Sequence, residues 1–294
     1  MGDRNPIYRR FAIGAQMNVP VIGTPDCGRA VFLALLYETL VRISTAEGDD
    51  VPEVMVNTGP VEAKALGDLR LDLLSGRWPS AERKMKVSGC SLELGFRGKA
   101  ASFFRGREIR KVRLENVIMS DKDLKVLRSS GQLREVLEGS AGGHIDRYGL
   151  NERFRDSLDS EALILLADVS RGEQGRSWPV GERDALLATV VDNASHNRSG
   201  KDRKVAFIIV LTRADRVEAD VPKVFETTYP RTAEALRKAV QRGSSSQVMV
   251  SWVGTVPNAD GDPIPAVNVR EGQVQIDYSE KEYRRLIELI EKLS

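Results

Sequence analysis

The sequence predicts an α/β fold built around a mostly parallel sheet. Three observations point to it. Residues 162–167 (ALILLA), 205–211 (VAFIIVL) and 247–253 (QVMVSWV) are apolar runs of strand length. Such runs belong to strands covered on both faces, as in parallel sheets. Helix-type spacing separates and follows them, at residues 181–191, 232–242 and 279–293. Alternation of this kind builds a layered α/β domain. Finally, a turn bounded by Gly23 and Gly28 lies between a short apolar run and a long apolar helix pattern.

Taken in order, residues 17–22 (MNVPVI) read as the first strand, with Pro20 placing it at an edge or a strand start. From Arg29 to Arg42 the chain is apolar on nearly all sides, which fits a helix shielded by a sheet. A short strand is expected in EVMV, residues 53–56. Residues 61–74 place Leu66, Leu69, Leu73 and Leu74 at helical spacing, ended by Gly76, Arg77, Trp78 and Pro79. Strands are expected over residues 85–96, 100–104 and 109–119, then a helix over 121–138. Residues 192–202 and 257–265 read as polar loops. In the last helix Tyr283, Leu286, Ile287, Ile290 and Leu293 form one stripe.

Composition excludes several classes. The chain has 294 residues, 41% of them apolar and 29% charged, which rules out wholesale disorder or a fibrous rod. A formal charge of +2 is far from the strong basic excess of most nucleic-acid proteins. The two cysteines, Cys27 and Cys90, have no metal-ligand spacing, and two histidines cannot make a histidine-rich metal site. Membrane spans need about 18 consecutive apolar residues, and no run reaches that length. The first residues lack an apolar signal core. The expectation is a soluble cytoplasmic protein.

The turn GTPDCGRA, residues 23–30, has the glycine spacing of a phosphate-binding loop. A working loop of this type continues with Lys, which reaches the terminal phosphates, and Ser or Thr, which ligates magnesium. Here those positions hold Arg29 and Ala30, and Asp26 adds negative charge inside the loop. The backbone and the helix N-terminus still suit an anion. Ala30 has no oxygen for a metal. Read from the loop alone, a plain turn before a buried helix is an equal alternative.

The order of elements resembles the Ras-like GTPase domain, and is most similar to the double-GTPase group of bacterial conflict and signalling systems. The resemblance covers residues 17–45 and 109–294. It implies one three-layer Ras-like P-loop domain over residues 1–294, with an insertion near 46–84 between the first helix and the second strand. It also implies five loops that meet guanine nucleotide and magnesium. Residues 23–30 are similar to the first. The second should carry a threonine, but none occurs between Thr58 and Thr189. For the third, Asp121 follows a strand, but Leu124 stands at the glycine position, which leaves Asp121 a weak metal candidate. The fourth resembles LTRAD, where Thr212 and Asp215 match and Arg213 replaces Lys. The fifth is similar to residues 251–254, beginning with Ser251. Asp168, at a strand end, takes a structural role in this comparison.

Gly23, Asp26, Gly28, Arg29, Ala30, Thr212, Arg213, Asp215 and Ser251 are therefore the candidate nucleotide-contacting residues. Losing the lysine, the loop hydroxyl, the switch threonine and the switch glycine removes separate phosphate and metal contacts. The leading expectation is a pseudo-GTPase scaffold without efficient hydrolysis, working through a protein partner. The alternative is an atypical GTP- or GDP-binding protein with slow or conditional hydrolysis. A third reading uses the basic residues of segment 97–113, interleaved with Phe103 and Phe104, to grip nucleic acid. A solvated hairpin face explains the same segment. His144 and His196 are expected on surface loops, Cys27 partly buried, and Trp178 exposed among polar turn formers.

Overall fold

A computed structural model describes residues 16–45, 54–97, 109–129, 149–169, 178–196, 202–214, 220–270 and 272–294. The chain runs β1 (Gln16–Gly23), α1 (Arg29–Thr45), β2 (Val54–Asn57), α2 (Pro60–Leu74), α3 (Ala81–Lys86), β3 (Ser91–Arg97) and β4 (Ile109–Val117). It continues through α4 (Asp121–Ser129), α5 (Glu152–Ser157), β5 (Ala162–Asp168), α6 (Val180–Ala194) and β6 (Ala206–Thr212). Then come α7 (Val221–Thr228), α8 (Pro230–Gln241), β7 (Ser245–Ser251) and α9 (Glu280–Leu293). Two ribbons lie between β7 and α9: β8 (Thr255–Pro257) with β9 (Pro263–Pro265), and β10 (Val267–Arg270) with β11 (Gln273–Ile276).

The main sheet has the order β2-β3-β4-β1-β5-β6-β7. Pairings from β4 through β7 are parallel, while β2–β3 and β3–β4 are antiparallel. This is a three-layer α/β domain with a mixed, mostly parallel sheet, with β2 and β7 at its edges. Period-two alternation divides the core. Ile164, Leu166, Ile208 and Val210 face the layer of α1, α2 and α9, while Leu163, Leu165, Phe207 and Ile209 face that of α4 to α8. β5 and β6 are buried at every position, which explains their unbroken apolar runs.

Several expectations change. β1 is central, so Pro20 is at neither an edge nor a strand start. Its pairing with β5 begins only at Val21, so the missing N–H precedes that ladder. Residues 81–86 are helical because Ser80 caps them, its side chain accepting from Arg83 N at 3.3 Å. The strand therefore starts at Ser91. Trp178 is buried at the entry to α6, not exposed. The polar loop over 257–265 contains β9 and joins the first ribbon. Trp78 Nε1 donates to Pro263 O at 2.7 Å, tying that ribbon to the α2–α3 connection. The expected strand over residues 100–104 lies outside the described residues, as do His144 and residues 98–108 of the basic segment.

Candidate phosphate-loop site

The first loop keeps its shape through its own chain. Gly28 has φ 80° and Asp26 has φ 60°, both left-handed. Glycine takes that conformation without strain; a residue with a Cβ pays roughly 1–2 kcal/mol, Asp and Asn less than most. A Cβ at Gly23 would lie 2.4 Å from Cys27 Sγ and 3.0 Å from Leu166 Cβ, so the sulfur packs against the glycine. Cys27 is fully buried, where the sequence suggested partial burial. Burial pushes its thiol up, outweighing the opposing charge of Arg29. The thiol therefore stays protonated at neutral pH, which disfavours a redox role. Thr212 Oγ1 donates to Cys27 O at 2.7 Å and ties the loop to the end of β6.

The side chains that should meet phosphate and metal do other work. Arg29 Nη1 donates to Val117 O at 2.9 Å, so the guanidinium in the lysine position bridges α1 to the end of β4. Ala30, the next residue of α1, offers only a methyl group. The first turn of α1 contains no acidic residue, and its leading amides have no intrahelical acceptor. The helix N-terminus is therefore free of acidic side chains, while the Arg29 guanidinium is engaged with β4.

Asp121 is exposed on the first turn of α4. The buried carboxylate there is Asp123, which accepts from Ser120 N at 2.8 Å and Asn151 N at 2.6 Å and fixes the helix start. Thr212 is buried under the loop. Arg213 has φ 56°, and its Nη1 donates to Asp168 Oδ2 at 2.9 Å. Asp168 is buried, and Tyr229 Oη donates to its carbonyl at 2.9 Å, in keeping with a structural role. Asp215 lies outside the described residues. Ser251 Oγ lies 2.6 Å from Tyr283 Oη, both buried, so the fifth loop is anchored to α9. His196 is half-buried, with Nε2 3.3 Å from Asp202 Oδ1. The sequence reading missed Arg183 and Tyr229. Arg183 sits in a helix pattern and Tyr229 at the junction of two helices, and neither position gives a sign of reaching a strand end.

No family model matches the chain, and no curated protein matches it. Similar solved structures include the S. cerevisiae Ski7 GTPase-like domain bound to GTP, at 15% identity and TM-score 0.44, covering 95% of this chain and 50% of that one. The same yeast domain bound to GDP and inorganic phosphate gives 14% identity and TM-score 0.41, covering 80% and 43%. The SAR1-type small COPII coat GTPase of Encephalitozoon cuniculi, in complex with GDP, gives 10% identity and TM-score 0.26, covering 84% and 71%. The chain spans about half the length of the yeast structures it matches.

Proposed function

We propose that this chain is a pseudo-GTPase of the kind found in bacterial conflict or signalling systems. It is a Ras-like scaffold or adaptor that works through protein contacts, with weak or no nucleotide binding and no efficient hydrolysis. The observation that carries the reading is the hydrogen bond from Arg29 to Val117 O. The residue that should neutralise phosphate is engaged by the fold itself. Ala30 removes the magnesium hydroxyl, and Ser251 and Thr212 are occupied by internal bonds. Protein contact is supported by apolar side chains exposed on the added elements: Leu71, Trp78 and Met85 around α2 and α3, and Val256, Val269 and Val274 on the ribbons. Exposed apolar residues mark an interaction surface where they join into one patch.

A second reading rests on the preserved backbone. The left-handed Asp26 and Gly28 keep a nest suited to an anion, so an atypical GTP- or GDP-binding protein is the alternative. Titrating the full chain with fluorescent GTP, GDP and ATP separates the two. The scaffold reading expects binding weaker than about 1 mM or none, roughly 4 kcal/mol at most. Micromolar, guanine-selective binding lost on Asp215→Ala would establish the alternative instead.

A further inference from the structure

Arg183 is among the largest side chains the protein buries, with 2% of its surface exposed. It enters from the first turn of α6, and its Nη1 lies 3.7 Å from Asp168 Oδ2. Arg213 Nη1 reaches the same oxygen at 2.9 Å, so two guanidinium groups share one carboxylate oxygen. Arg183 Nε and Nη2 are buried and meet no hydrogen-bond partner among the described residues. These two nitrogens form one edge of the guanidinium, and their N–H bonds run parallel. That fork receives two oxygens of a phosphate or carboxylate.

A buried donor without an acceptor costs about 1–3 kcal/mol, more when charged. Native proteins meet such donors with a protein group, a water or an ion. The cluster stands at the C-terminal ends of β5 and β6, the side on which open α/β sheets take ligands. Arg213, with 35% of its side chain exposed, is the solvent-facing member of the cluster. We infer that Arg183 and Arg213 bind a phosphate-class oxyanion at this strand end. Arg183 supplies the bidentate edge and Asp168 holds both guanidinium groups in place. The site differs from the glycine loop, whose own arginine is turned to Val117. It does not depend on the scaffold reading, since it needs neither the loop lysine nor magnesium.

The test is thermal unfolding of the full chain in inorganic phosphate against chloride at matched ionic strength. Phosphate should raise Tm in the wild type and in Arg29→Met. Its affinity should fall on the order of tenfold in Arg183→Lys, which keeps the charge but lacks the fork. Arg213→Met should weaken it as well, and this half-exposed position offers a second variant if the buried one does not fold. No phosphate-specific stabilisation of the wild type overturns the proposal, with no variant required. So does stabilisation that Arg29→Met abolishes and Arg183→Lys preserves, which would place the anion in the glycine loop. A GDP arm separates the sources. GDP competing with phosphate, and weakened by Arg183→Lys, supports the site as one for a nucleotide phosphate. Phosphate binding without such competition supports it as one for the free ion.

Discussion

Thr212 joins the glycine loop to the sheet through one buried hydrogen bond to Cys27 O. Thr212→Val keeps the shape and removes the donor, leaving that carbonyl buried. The expected loss is about 1–3 kcal/mol, read as a lower denaturant midpoint with an unchanged slope. Gly23→Ala should cost a similar amount, about 1–3 kcal/mol, because its methyl meets the Cys27 sulfur. Much of that loss should return in Gly23→Ala combined with Cys27→Ala, since the clash is with the sulfur; a double-mutant cycle checks it. The glycine positions were legible in the sequence because backbone geometry restricts them to few residue types. The destination of Arg29 was not. A guanidinium on a long flexible stem reaches many acceptors, and spacing does not say which carbonyl lies within range. The same holds for the pairing of Arg213 with Asp168 across 45 residues.

Helix starts carry the stability that can be tested at the scale of elements. Asp184, on α6, accepts from Thr232 N at 2.9 Å, Thr232 Oγ1 at 2.8 Å and Arg231 N at 3.1 Å, and so caps α8. Asp184→Ala strands buried donors and should cost roughly 2–4 kcal/mol, measured by chemical unfolding. The seam between α1, α9 and the end of β7 holds a second handle. Tyr278 Oη lies 2.9 Å from Thr39 Oγ1, and burial pushes its phenol up to about 12. Tyr283 is raised further by burial. A phenol whose folded value exceeds its unfolded value of about 10 stabilises fully below pH 10, and that contribution is lost as pH rises toward 12. Unfolding free energy should therefore drop between pH 10 and 12, by roughly 2–3 kcal/mol for Tyr278, and less steeply in Tyr278→Phe.

Long elements were legible because their burial is periodic or complete: β5, β6, α1 and α9 all lie where their patterns predict. The ribbons were not. β8 and β9 have three residues each, include prolines, and are held by Trp78 from a distant segment rather than by an apolar pattern of their own. Residues 81–86 alternate too little to mark a strand, and a single cap decides in favour of helix.

On the scale of the whole molecule, a mostly parallel sheet carries a glycine loop at the end of β1, the edge where such sheets take ligands. β2, α2 and α3 follow α1, and the two ribbons follow β7. The order of strands and helices was legible, since the strong strands carry their own apolar runs. The internal bonds of Arg29, Thr212 and Ser251 were not, because they depend on contacts made across the fold. Under the scaffold reading proposed above, the fold keeps the backbone of a nucleotide site and reassigns its side chains. With Ala30 in the magnesium position, metal should add nothing to triphosphate affinity. The most direct measurement is the GTP dissociation constant of the full chain in millimolar magnesium and again in excess chelator. The account predicts two weak values that agree within about threefold, a difference under about 1 kcal/mol. A GTP affinity in the micromolar range that magnesium improves by tenfold or more would contradict it.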